Sequence, residues 1–333
     1  MTSPHHLINV LLPHQLECIV LMSQTSEHAE QLYCGLRTLA DRGSIRLTVE
    51  ESEAPEWVCV APRLSRNRSI VRLIVDGKRV LYDLDDSSSL SADGEKWADL
   101  SFKRMLASGQ ETAIRHAYGL NYPVTERVVQ SVEEWRDVPS VTQLQPGVTA
   151  GSGILCMTRL WDPDDAHSPH DVLWRERINT FRIELISRLR AEFAEGFTGG
   201  IADDPYSRAR CAPDLLAEER ITQKDAYLTA ASLAEIVVTT AGLHDSIGWR
   251  FGEAVSLGRP VVSESFDCTL PGVKGDALFR AFDDVDGAVN QIRDLRTNSA
   301  ALGSMRARSR TYYREWLRPD VLVARTLSVA SQR

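Results

Sequence analysis

The sequence predicts an α/β protein made of two open, mainly parallel-stranded halves. Three observations carry this. Strand-like and helix-like stretches alternate along the chain. That alternation starts twice, at "ECIVLM" (17–22) and again at "GILCMTRLWDP" (153–163). And 333 residues are long for one domain but comfortable for two. A hydrophobic fraction of 43% with 25% charged residues is ordinary for a globular chain. The formal net charge of −8 and the lack of an offsetting basic stretch argue against nucleic acid as a partner. The arginines of "PRLSRNRSIVR" (62–72) read as a solvated face.

The first half opens with "ECIVLM" as a short buried strand. A helix follows, with Ser26 as N-cap and Gly43 as its stop. Ala29, Leu32, Tyr33, Leu36, Leu39 and Ala40 recur at helical spacing, and "SIRLTVE" then alternates like a strand. A β-α-β unit requires a crossover and a parallel pairing. "WVCVAP" adds a strand, and "RLIVDGKRVLYDLDD" reads as a hairpin turning at Asp76-Gly77. Residues 127–153 are richer in Pro, Gly, Ser and Thr, which places a domain boundary near residue 150 and gives domains 1–150 and 151–333.

The second half repeats the plan. "GILCMTRLWDP" is a strand leaving into a polar loop. "WRERINTFRIELISRLRAEF" is a long helix with a stripe of Ile178, Phe181, Ile183, Leu185, Ile186 and Leu189. "FTGGI", the helix around "TQKDAYLTAASLA", the strand "EIVVTT", a helix near 246–257 and the strand "PVVSE" follow. "ALFRAFDD" precedes a last α/β pair, and the C-terminal segment is helical with a break at Pro319. There is no internal repeat and no low-complexity tract.

The segment "TTAGLHDSIGWRFGEAVSLGRPVVSE" (239–264) carries the chemistry. At 100° per residue Ile247, Phe251, Ala254 and Val255 face one side, suited to the sheet, while Ser246, Arg250 and Glu253 lie within about 80° of one another on another. Asp245 or Ser246 is expected to cap the helix, leaving free N–H groups near Gly242 to Gly248. After a parallel strand this is where ligands bind. A phosphate fits the helix start and Arg250, with Glu253 accepting two hydroxyls such as those of a ribose. The competing account is a simple i,i+3 surface pair of Arg250 and Glu253.

This segment resembles the donor site of glycosyltransferases of the two-domain GT-B architecture, in which a glycine turn, a basic residue and a helical Glu precede an "alGrPvv" strand. "YDLDD", "ADLSFKRML" and "YGLNYPV" (82–124) resemble the N-terminal half of some bacterial members. The resemblance implies two Rossmann-like domains facing a cleft, with the final helix able to cross back. It implies a metal-independent enzyme that moves a sugar from a nucleotide diphosphate sugar to an acceptor, with no cofactor. On that reading Glu253 takes the ribose, and Gly242, His244, Ser246, Gly248 and Arg250 hold diphosphate or sugar. Arg159 and Lys224 neutralise the leaving diphosphate. The family's retaining pattern sets two glutamates about eight residues apart. Here Glu264 follows Glu253 by eleven and Asp245 precedes it by eight.

In the first half, Asp86 or Asp85 suits a general base for an acceptor hydroxyl, and Lys103 and Arg104 suit the acceptor side. For Lys103 and Arg104 the alternative is a solvated helix end. Asp83, Asp85 and Asp86 as metal ligands, and "WDPDDAHSPHD" (161–171) as a metal tract, are weaker readings than an acidic turn and a mobile loop. A non-catalytic nucleotide-binding or scaffold protein and a sugar-nucleotide epimerase are the alternatives to transfer. A nicotinamide enzyme lacks its GxGxxG turn. Six scattered cysteines, no leader and no apolar stretch of 18 residues read as a cytoplasmic protein with free thiols.

Overall fold

The computed structural model describes residues 4–22, 27–53, 69–89, 91–124, 151–166, 168–273 and 278–332. Ser26, Cys59, the expected strand "WVCVAP" and most of the linker-like stretch 127–153 lie outside these residues. The chain divides into two compact units. One is Met1–Leu144 with Asp267–Gly272 and Tyr312–Arg333, and the other is Gln145–Phe266 with Val273–Thr311.

The first unit opens with α1 (Pro4–Leu11), β1 (Leu16–Met22), α2 (Glu30–Asp41) and β2 (Ile45–Glu51). β1 and β2 pair in parallel, as the β-α-β reading requires. β3 (Ile70–Val75) and β4 (Lys78–Asp83) form the expected hairpin. Its turn residues take left-handed φ values of 46° at Asp76 and 82° at Gly77, which suit the twist of a tight hairpin. Asp76 also accepts a hydrogen bond from the Glu17 amide at 2.8 Å, fixing the turn to β1. After α3 (Ala92–Trp97) come β5 (Leu100–Lys103) and β6 (Arg115–Ala117). The sheet order is β2-β1-β3-β4-β5-β6. β3 runs against both neighbours, so β4, β5 and β6 share the direction of β1.

The second unit contains β7 (Ile154–Thr158), α4 (Pro169–Phe193), β8 (Phe197–Ile201), α5 (Pro205–Arg210), α6 (Glu219–Thr222), α7 (Lys224–Leu233), β9 (Ile236–Thr239), α8 (Trp249–Ser256), β10 (Val261–Glu264), β11 (Arg280–Phe282), α9 (Val285–Thr297) and α10 (Ser299–Tyr312). Its strands are all parallel, in the order β11-β10-β9-β7-β8. Counted within the unit, that is the doubly wound order in which the chain grows outward in both directions from the β7/β9 boundary. Ile154, Cys156, Ile236, Val238 and Val262 meet Leu185, Ile186 and Leu189 of α4 and Ala288, Val289 and Ile292 of α9 in one core. Ser168 caps α4 by accepting from the Asp171 amide at 3.1 Å, with Pro169 at the helix start.

The last helix, α11 (Pro319–Ser331), begins at the expected break and belongs to the first unit. Val321, Val323, Ala324 and Leu327 are wholly buried in the core of that unit, among Leu32, Leu36 and Leu39 of α2. The helices approach so closely that a Cβ on Gly35 would stand 2.4 Å from the Pro319 carbonyl oxygen. Polar contacts complete the seam. The Gln31 amide donates to the Leu317 carbonyl at 2.9 Å, and Tyr82 and Thr326 share a hydroxyl hydrogen bond of 2.8 Å.

Asp320, at the start of α11, accepts from Arg318 at 2.7 Å and from Arg42 at 2.6 Å. Burial alone would push its carboxyl pKa up, but the Arg318 bonds and the charges of Arg318 and Arg42 outweigh burial and hold it below the usual range. Ionised Asp320 therefore stabilises the fold above its unfolded pKa of about 3.9, and that contribution is lost as pH falls through the lower folded value. Asp320→Ala should cost about 2–3 kcal/mol, below the full value for a buried pair because both arginines keep some water. Urea denaturation at pH 7 and again at acid pH checks this: the difference from the parent should shrink at the lower pH.

Among the described residues no helix is long and apolar enough to cross a membrane.

Candidate active site

The parallel strands β7, β9 and β10 end together, so Arg159, Thr240 and Glu264 lie along the carboxyl edge of the second sheet. The β7/β9 boundary is the switch point of the fold, where the two outgoing loops part and leave room for a ligand. A polar ladder on α4 fixes those loops. Arg175, Asn179 and Arg182 recur at spacings of four and three, and all three are buried. Arg175 donates to the Asp162 carbonyl at 2.7 Å. Asn179 exchanges two hydrogen bonds with the Trp161 backbone, at 2.7 and 2.8 Å. Arg182 donates to the Arg159 carbonyl and to the Ala241 carbonyl, each at 2.6 Å, and to the Thr240 hydroxyl at 3.1 Å. The stretch "WDPDDAHSPHD", expected as a mobile loop, is thus pinned at Trp161 and Asp162. His167 within it lies outside the described residues.

Sequence reasoning missed Arg182. One more arginine in a helix that already carries many charged residues reads as solvent-facing, and only the tertiary fold shows that its guanidinium bridges both sides of the switch point. Burial pushes its pKa down to about 9, with repulsion from Arg250 and Arg159 adding to the effect and Glu264 opposing it. Arg159 is exposed and its guanidinium carbon stands over the Trp161 ring, 3.8 Å from the centroid. Three cationic side chains thus converge on the switch point, where anions are favoured.

The loop after β9 departs from the sequence reading. Asp245 and Ser246 do not cap the following helix. Residues Leu243–Asp245 form a separate turn in which His244 and Asp245 take positive φ values of 62° and 53°. The Gly242 amide donates to the Ser246 carbonyl at 2.7 Å, Ala241 bridges Ile247, and the N-cap of α8 is Gly248. Ser246 therefore precedes the helix and is not on one helical face with Arg250 and Glu253. The cause is geometric, since two left-handed residues fold the chain back and delay the helix start to Trp249. Asp245 instead faces Arg177 at 3.1 Å, and His244 meets the edge of Trp174 with ring centroids 5.1 Å apart. Glu264 accepts from the Ala241 amide at 2.8 Å, tying the end of β10 to the same loop. Burial raises its pKa, offset in part by that bond and by Arg182.

Glu253 is only 5% exposed. Among the described residues no hydrogen bond reaches its carboxylate and no salt bridge joins it to Arg250. The guanidinium of Arg250 instead lies over the ring of Tyr227, 5.2 Å from the centroid. Burial raises the Glu253 pKa, and the charges of Arg250 and Lys224 lower it only in part. Lys224 starts α7 and Tyr227 follows one turn later, so α7 and α8 bring Lys224, Tyr227, Arg250 and Glu253 together. Tyr227 was present in the quoted "TQKDAY", three residues after Lys224. Its helical offset from Lys224 was the available signal.

The first unit gathers a second group at the carboxyl ends of β4 and β5. Lys103 and Arg104 are not a solvated helix end. They close strand β5 and are 1% and 3% exposed. The Lys103 ammonium donates to Asp83 at 2.8 Å and to the Asp85 carbonyl at 3.1 Å. Arg104 donates to the carboxylate of Asp86, whose side chain is 37% exposed. Burial pushes the Arg104 pKa down to about 10. His28, another residue the sequence reading passed over, stands 3.8 Å from Asp86. Burial and then the Arg104 charge push its pKa down to about 4, so it is neutral near pH 7. The predicted residues thus form two groups, with Asp86, Lys103 and Arg104 in the first unit and Arg159, Lys224, Gly242, His244, Ser246, Gly248, Arg250, Glu253 and Glu264 in the second.

No protein-family model matches the chain, and no curated protein does. Among solved structures it is similar to Anabaena HepE in complex with UDP-glucose, at 12% identity and a TM-score of 0.50, covering 95% of this chain and 99% of that one. HepE with UDP and glucose gives 12% identity, a TM-score of 0.48, and 95% and 98% coverage. WaaG, a glycosyltransferase involved in lipopolysaccharide biosynthesis, gives 12%, 0.40, and 96% and 97%. The structural neighbours that match nearly the whole chain are GT-B glycosyltransferases. The fold is accordingly that of the GT-B class, with two Rossmann-like α/β units.

Proposed function

We propose that the chain is a glycosyltransferase that moves a sugar from a nucleotide diphosphate sugar to an acceptor hydroxyl. The observation that carries this is Glu253, a buried carboxylate that no described donor satisfies, flanked by cations at the carboxyl edge of a doubly wound sheet. A carboxylate so placed has its acceptor capacity in reserve for ligand hydroxyls, and a ribose diol supplies two donors. The start of α8, with Gly242, His244, Ser246, Gly248 and Arg250, takes the diphosphate or sugar. Arg159 and Lys224 stabilise the charge that grows on the leaving diphosphate, which needs fixed cations and no metal.

Asp86 is the proposed base for the acceptor. Its bond to Arg104 holds the carboxylate in place, whereas His28 is too weakly basic for the role at neutral pH. Lys103 and Arg104 serve the acceptor side by orienting the acidic loop through Asp83 and Asp86.

UDP-glucose, the ligand in the HepE complex, is the first donor to test, followed by other nucleotide sugars. A donor at about 100 times its dissociation constant should stabilise the protein by about 2.7 kcal/mol. Release of nucleotide diphosphate should then be slowed by Arg159→Ala and Lys224→Ala. If no nucleotide sugar stabilises the protein and none is turned over, the reading is wrong.

A further inference from the structure

The phenol of Tyr227 is 5% exposed, and its hydroxyl oxygen is buried with no hydrogen-bond partner among the described residues. Leaving such a group unsatisfied is costly, since its desolvation is not repaid. Its ring is fixed under the guanidinium of Arg250, and its hydroxyl is near enough to Glu253 to feel that charge. A phenol beside a carboxylate ordinarily donates to it. Here the two do not bond, although both lack a partner, so each keeps its hydrogen-bonding capacity for another group. A ribose hydroxyl can accept from a phenol while donating to a carboxylate.

We propose that Tyr227 is a specificity-determining residue of the donor site, donating to a ribose hydroxyl whose own proton goes to Glu253. Tyr227 and Glu253 then read the diol jointly, and a deoxy sugar at that position leaves both unsatisfied. This rests on the donor-site reading above. Arg250 has a positioning role, because its guanidinium lies over the ring and restrains the phenol.

Titration calorimetry with UDP, GDP, ADP and CDP, each beside its 2′-deoxy and 3′-deoxy forms, tests the proposal in the parent, Tyr227→Phe and Glu253→Gln. The parent should bind one ribonucleotide at least tenfold more tightly than one of its deoxy forms. Tyr227→Phe should weaken that ribonucleotide about 3–10-fold and leave the deoxy form unchanged. Since an unpartnered hydroxyl is all that is removed, its thermal midpoint should stay at or above that of the parent. Equal effects of Tyr227→Phe on both nucleotides, or none on either, overturn the proposal. If Glu253→Gln weakens binding while Tyr227→Phe does not, the donor site stands and the proposal falls. If the parent binds no nucleoside diphosphate, the donor reading falls and takes the proposal with it.

Discussion

Glu253→Gln is expected to raise the thermal stability of the unliganded protein while weakening its hold on a nucleotide sugar. The two effects share one cause. Burial raises the Glu253 pKa because the folded interior disfavours the ionised form, and Arg250 and Lys224 compensate only in part. A fold that holds this proton more tightly than the unfolded chain is favoured by acid. Its contribution falls as pH rises from the unfolded value of about 4.3 through the higher folded one. Glutamine removes the buried charge, so the variant should melt a few degrees higher near pH 7, and the gap should close as pH falls. Binding should suffer about 10–100-fold, the range for losing hydrogen bonds to a charged acceptor. Scanning calorimetry over pH with and without ligand checks both halves. A variant less stable than the parent at pH 7 with unchanged affinity would show that Glu253 is structural.

Arg182→Met is expected, by contrast, to lower stability. The methionine fills similar volume and removes the repulsion from Arg250 and Arg159. It leaves the Arg159 and Ala241 carbonyls without the donor that holds them at 2.6 Å. Stability should fall by about 2–4 kcal/mol, read by urea denaturation. The outgoing loops of β7 and β9 should also lose their shared anchor. Donor KM should therefore rise even at temperatures where the variant is fully folded. Arg182→Lys should recover part of the loss, since one ammonium cannot reach all three acceptors in the fork geometry of a guanidinium. An unchanged donor KM in a folded Arg182→Met protein would show that the anchor does not matter to binding.

Much of the fold was legible because each strand and helix announces itself locally. The α2 stripe, the Asp76-Gly77 turn, the parallel β1 and β2 pair and the break at Pro319 all follow from spacing and turn chemistry. What could not be read was set by distant partners. The start of α8 looked three residues earlier because Asp245 and Ser246 are good caps, yet the left-handed turn at His244 and Asp245 takes precedence. The burial of Lys103 and Arg104 could not be read because their partners come from elsewhere, Asp83 at the end of the neighbouring strand and Asp86 in the loop just past it. The same holds for Arg175, Asn179 and Arg182, whose burial depends on carbonyls that only the tertiary fold delivers. In the candidate site the residue types were legible, and the contacts that orient them were not.

The placement of α11 has a consequence for the order in which the protein is made. The core of the first unit lacks Val321, Val323, Ala324 and Leu327 until the ribosome has passed the whole of the second unit. During synthesis the second unit can therefore reach its native state first, although its residues emerge later. The first unit waits with the α2 face uncovered, and Gly35 offers only a shallow groove there until Pro319 arrives. A stop introduced just before residue 319 should leave a protein in which the second unit is folded and the first is a target for chaperones and proteases.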